Sequence, residues 1–213
     1  MNRKKLVMTA AAAAVLLGLS ACTSDETDTA SETTTAVETT ATSGSSTTEQ
    51  AEESAQHSEA DVMFAQMMIP HHEQAIEMSD IILSKDDVPA DVTSLAEEIK
   101  AAQGPEIAQL TDWLEQWGEA TEPQDGHGGH DMSMMEGMLS DDELEQLSDA
   151  QGADAARMFL EQMIAHHQGA IDMAEVLLEH GKNEQMRALA EEIITAQVGE
   201  IELMTTWLSE NAK

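Results

Sequence analysis

From residue 58 onward, apolar and polar positions alternate along the chain with a helical period. Phe64, Met68, His71, Ala75 and Met78 recur at three- and four-residue steps. A helix turns about 100° per residue, so these positions share one stripe, with His72 at its edge. Leu95, Ile99, Ala102, Glu106, Leu110 and Trp113 form a second stripe with one polar intruder. Phe159, Met163, His166, Ala170 and Met173 form a third. The pattern predicts two helical hairpins, 58–119 and 141–211. The first turns through Lys85 to Pro89, where an Asp cap and an early proline suit a helix start. The second turns at Gly181, placed to close one helix, with Asn183 placed to cap the next. Ser140 and Glu143 have the spacing of a capping box, which predicts a short extra helix. Two antiparallel hairpins packed together give an all-α, four-helix bundle. Aromatic residues make up only 2% of the chain, so Leu, Ile and Met must fill its core.

The hairpins are copies of each other. Phe64, Met68, Ile69, His71 and His72 align with Phe159, Met163, Ile164, His166 and His167 at an offset of 95, and Ala75, Ile76 and Met78 continue into Ala170, Ile171 and Met173. At an offset of 94, Leu95-Ala96-Glu97-Glu98-Ile99 becomes Leu189-Ala190-Glu191-Glu192-Ile193. Gln103, Glu106, Trp113 and Leu114 then meet Gln197, Glu200, Trp207 and Leu208. A shared helical period alone would not preserve both a HisHis pair and a distant Trp-Leu. The chain carries an internal duplication.

Outside the hairpins the pattern breaks. Arg3, Lys4 and Lys5 precede the apolar run Leu6 to Leu19, which is too short to be a comfortable membrane span and reads as part of a signal peptide, residues 1–21. The run ends in Leu19-Ser20-Ala21-Cys22, which looks like a bacterial lipobox, so Cys22 is the expected lipidation site and membrane anchor. It is the one cysteine of the chain, which rules out an intramolecular disulfide. Residues 22–57 are rich in Thr, Ser and Glu and have no hydrophobic period, so they read as a disordered tether. A Met/His-rich linker, 120–140, joins the hairpins, and 58–211 is the duplicated bundle.

Charge narrows the partners. Loss of Arg3, Lys4 and Lys5 with the signal peptide takes the net charge from −33 to −36. Such a chain cannot replace the counterions of a nucleic acid, so no nucleic-acid partner is expected. The same field concentrates cations near the surface.

The chemistry converges on the first and third stripes. If these face each other, the thioethers of Met68, Met78, Met163 and Met173 and the imidazoles of His71, His72, His166 and His167 form the candidate metal ligands. Thioether sulfur is soft and selects Cu(I), with Ag(I) as a mimic; imidazole suits copper and zinc alike, which leaves zinc behind copper. No histidine has a glutamate three residues before it, so the Glu-x-x-His motif of di-iron bundles is missing. A methionine stripe alone reads as core packing, but a repeated HisHis pair within it does not. For His72 and His167 the alternative to ligation is a place as outer supports or at the rim. Gln103, Glu106, Gln197 and Glu200 interrupt apolar stripes next to Pro105 and Gly199, either as hydrogen-bond partners of the histidines or as caps of a local kink. Trp113 and Trp207 read as core anchors, with a cation–π contact to metal as the alternative. In the linker, His127, His130, Met132, Met134, Met135 and Met138 read as a flexible capture arm for copper, or as a cover for an apolar edge of the bundle.

These residues resemble the domain-of-unknown-function 305 family. Its pattern is present in Phe159, Met163-Ile164-Ala165-His166-His167, Gln168-Gly169-Ala170-Ile171 and Met173-Ala174, and again in Gln197, Glu200, Met204 and Trp207-Leu208. The first copy repeats it through Asp61, Phe64, Met68, His71, His72, Met78, Gln103 and Glu106. The resemblance implies a ferritin-like four-helix fold, an exported protein and, for some members, periplasmic copper binding and tolerance. It adds Asp61 and Met204 to the outer-shell candidates Gln103, Glu106, Gln197 and Glu200. The copies depart from each other where Asp61 faces Ala156 and Met204 faces Leu110.

The function expected is extracytoplasmic, lipid-anchored copper buffering, scavenging or tolerance in the cell envelope, without catalysis. The chain would act as a monomer or homodimer, exchanging metal with a donor or acceptor protein. The alternatives are a copper-dependent metalloenzyme on the same scaffold, or an envelope interaction bundle that binds no metal.

Overall fold

The computed structural model describes residues 56–122 and 137–212. Five helices follow in order: α1 (Glu59–Leu83), α2 (Ala90–Trp117), α3 (Asp141–Asp149), α4 (Gly152–His180) and α5 (Glu184–Glu210). Helices α1 with α2 and α4 with α5 are the two hairpins, α1 packs on α4, and α3 is the short extra helix, lying against α1 and α4. The signal peptide, Cys22, the tether up to residue 55, and His127, His130, Met132, Met134 and Met135 of the linker lie outside the described residues.

The helix starts follow their caps. Ser58 and Asp61 form a capping box on α1, Ser140 and Glu143 form the expected one on α3, and the Asn183 side chain accepts from Met186 N–H at 2.9 Å on α5. Two turn expectations need correction. Pro89 itself is the N-cap of α2, with no side-chain cap bond, so neither Asp86 nor Asp87 caps it. Gly181 closes α4 with φ −69°, an extended conformation open to any residue. Crowding explains the glycine: a Cβ there would lie 2.8 Å from Asp61 Oδ1 and 2.6 Å from Leu177 Cδ1. Both α2 and α5 continue as helix through Pro105 and Gly199.

Two hydrophobic cores occupy opposite ends of the bundle. The first is built from Phe64 to Ile69 of α1, Leu110 to Leu114 of α2, Ala170 to Leu177 of α4 and Met186 to Ile193 of α5. The second takes the remaining half of each helix: Ala75 to Ile82, Val92 to Ile99, Ala155 to Met163, and Met204, with Leu139 and Leu147 added from α3 and its approach. Exchanging the two hairpins exchanges the two cores, so the duplication survives as a pseudo-twofold axis. The histidines lie between the cores.

Candidate metal centre

The centre is a polar layer on the pseudo-twofold axis. His71 comes from α1 and His166 from α4, one helical turn beyond Met68 and Met163, and the shared stripe turns both inward. Their rings meet across the α1–α4 contact with centroids 3.7 Å apart, tilted by 38°. The two stripes therefore face each other, the condition on which a shared ligand set depends.

His72 and His167 are not at a rim. All four histidines are 0% exposed. Each second histidine is held by a glutamate of its own hairpin: His72 Nε2 lies 2.7 Å from Glu106 Oε2, and His167 Nε2 lies 2.6 Å from Glu200 Oε2. A carboxylate accepts, so Nε2 donates in each of these bonds. Both Nδ1 atoms are buried without a hydrogen-bond partner, as are Gln103 Oε1 and Gln197 Oε1. These glutamines take the inward position that the periodicity gave to Ala102, which is exposed. Glu106 and Glu200 are thus hydrogen-bond partners of the histidines.

Burial sets the electrostatics. The His166 imidazole is held well below its ordinary pKa, first by burial and then by the neighbouring His71, His167 and His72; a contact with the His71 backbone offsets this in part. A neutral imidazole with a free lone pair is the form that binds a metal ion. The layer is expensive as mere packing, since a buried acceptor without a donor costs roughly 1–3 kcal/mol. Apolar side chains of the same size would avoid that penalty.

The methionines divide between layer and cores. Met68 and Met163 are fully buried one turn from the histidines, Met68 in the first core and Met163 in the second. Met78 and Met173 lie seven residues beyond His71 and His166, which is about 10 Å along the axis. They pack in the cores, Met173 beside Phe64 and Met67. Met204 is buried in the second core with Met78 and Met163.

Asp61 does not support the histidines. Its carboxylate, ten residues before His71, latches α1 to the turn between α4 and α5. It accepts from Ser58 N–H at 2.7 Å, Ser58 Oγ at 2.6 Å, Lys182 N–H at 3.0 Å and Asn183 N–H at 3.2 Å. Trp113 anchors the first core, while Trp207 lies half-buried at the edge of the second. Met138 is half-buried at the end of the linker. Sequence reasoning missed Gln74, whose amide clamps Leu139; the signal was its replacement by Gly169 in the second copy. Among the described residues, no three His, Cys, Asp or Glu side chains already stand as a metal cluster.

Fold and site together define a class: duplicated four-helix bundles with a buried histidine layer between two methionine-bearing cores. The chain belongs to the family described as Domain of unknown function (DUF305), whose model matches residues 61–208. It is similar to a DUF305 protein of Streptomyces coelicolor assigned as secreted, at 32% identity over 71% of this chain and 91% of that one, with a TM-score of 0.65. A DUF305 fragment from Deinococcus radiodurans is 33% identical over 72% of this chain and 97% of that one, with a TM-score of 0.63. CopM in its Cu(I)-bound form is 31% identical over 72% of this chain and 98% of that one, with a TM-score of 0.60, and CopM has also been solved with Cu(II) and with Ag. No curated protein matches the chain.

Proposed function

We propose that this protein binds copper outside the cytoplasm, as Cu(I), and acts as a buffer or scavenger without catalysis. The observation that carries the reading is the buried His71–His166 pair on the pseudo-twofold axis, flanked by Met68 and Met163 and backed by two histidine–glutamate pairs. Two imidazoles and two thioethers make a soft donor set suited to Cu(I) or Ag(I), with zinc disfavoured. The similarity to CopM, solved with copper and silver, supports this choice of metal. His71 and His166 would hold the ion, with Met68 and Met163 completing the set. Glu106 and Glu200 fix the ring orientation and proton position of His72 and His167 beside it.

Replacing Met68, His71, Met163 and His166 with Leu or Gln removes the tightest Cu(I) site while helicity survives. Competition against a Cu(I) chelator measures the loss, and wild-type affinity in this variant would reduce the layer to core packing.

The protein is anchored through acylated Cys22. No helix among the described residues is long and apolar enough to cross a membrane. A Cys22→Ser variant is therefore exported but released from the membrane fraction; unchanged membrane retention would contradict the anchor.

A further inference from the structure

His71 and His166 are both completely buried, so an ion bound between them must pass something on the way in. The end of the linker, residues 137–139, is seated against the His166 backbone. Gly137 adopts φ +89°, and a Cβ built on it would lie 2.3 Å from Ala165 O and 3.0 Å from His166 Cα. Only glycine permits so close an approach to α4, and only glycine readily adopts this conformation. Two residues later the Gln74 side chain clamps the strap from α1. Its Nε2 donates to Leu139 O at 2.9 Å, and its Oε1 accepts from Leu139 N–H at 2.7 Å. Gln74 follows His71 by three residues and so shares its side of the helix. The strap is therefore fixed to both histidine helices at the level of the ring pair.

The second copy lacks this device. Gly169 stands where Gln74 does and has no amide to offer, and Pro70 stands where Ala165 does. One face of an otherwise symmetric centre is thus singled out. Leu139, buried in the second core, accounts for the strap as packing. It does not account for the approach of Gly137 to the His166 backbone, nor for a half-buried methionine held between the two anchors.

We propose that Met138 is a transit ligand for the buried centre: Gly137 and Gln74 hold its thioether at the mouth of the His71–His166 layer, where it hands a soft monovalent cation inward. The proposal rests on the copper reading above. Gly137 and Gln74 are positioning residues, and only Met138 touches the ion. A neutral thioether suits this step, because it binds Cu(I) without holding it by charge.

The test uses the full chain and Cu(I) supplied as the complex of a weak chromophoric chelator. Stopped-flow absorbance gives the rate of uptake, and its end point gives the affinity. Met138→Leu keeps the apolar volume and removes the sulfur, so uptake slows several-fold while the end point stays at the wild-type value. Gly137→Ala drives a Cβ into Ala165 O, so the strap lifts. Leu139 N–H then loses hydrogen-exchange protection in the metal-free chain, and uptake slows as in Met138→Leu. Uptake by Met138→Leu at the wild-type rate overturns the transit role. A loss of affinity in proportion to the rate overturns it too, since Met138 would then be a resident ligand. A wild-type chain that takes up no Cu(I) overturns the copper reading itself, an outcome distinct from either.

Discussion

Four buried histidines in a core short of aromatics are a liability to the fold unless they have work to do. The penalty grows in acid, because His166 resists protonation when folded. In the unfolded chain the same side chain titrates near its ordinary value of 6.5. Between the lowered folded pKa and that value the unfolded state binds more protons, so the His166 contribution to stability rises with pH across the window. It is complete above the unfolded pKa and is lost as pH falls toward the folded one. Acidification also relieves repulsion in a chain of net charge −33, which works the other way. Comparison with a variant separates the two effects. In metal-free protein, His166→Leu gains stability over wild type by a margin that widens from about pH 7.5 to about pH 5.5 in urea titrations. A constant margin would mean that His166 is not held neutral by its surroundings. At this scale the sequence picked out the four histidines that the fold buries, and left the place of His72 open. A stripe drawn from apolar residues puts His72 at the edge. Only the glutamates of α2 and α5 reveal how a second imidazole on each helix can be buried.

The helices were legible because local chemistry agrees with the period. Ser58, Ser140 and Asn183 each cap the helix that follows them. The failures come where a tertiary contact overrides a local rule. Gly181 looks like a residue that closes a helix in the left-handed conformation, yet its conformation is ordinary, and it is small because Asp61 occupies the space beside it. Ala102 looks inward by its apolar character, but the bundle's middle layer is polar and takes Gln103 instead. Asp61 is the clearest case. A family pattern that sets an acidic residue before the motif Phe gives no hint of Lys182 and Asn183, its partners more than a hundred residues away. Its burial with four hydrogen bonds to Ser58, Lys182 and Asn183 makes it a strut between the hairpins. Asp61→Ala leaves those donors without their acceptor, the Asn183 N–H among them buried, so unfolding in urea should show a loss of about 3 kcal/mol. Cu(I) affinity of the folded protein should stay at the wild-type value, whereas a large fall in affinity with stability intact would return Asp61 to the metal site.

Duplication explains the molecule as a whole. Two hairpins that exchange under a pseudo-twofold axis place equivalent residues opposite each other at the axis itself, which is why single histidines from each copy meet there. The sequence showed the duplication and the stripes; the exchange of the cores and the polar layer between them needed the packing. Away from the axis the copies have diverged. Val92 stands opposite the larger Met186, Met204 opposite Leu110, and a half-buried Trp207 opposite a buried Trp113. A groove lined by Val92, Leu95, Leu160, Leu203, Met204 and Trp207 opens on that side. The central claim therefore concerns the axis, and anomalous diffraction at the copper edge from crystals of the Cu(I)-loaded chain tests it most directly. The account predicts an anomalous peak within bonding reach of a ring nitrogen of His71 or His166 and of Met68 or Met163. Copper bound elsewhere, with no peak at the histidine layer, would contradict it.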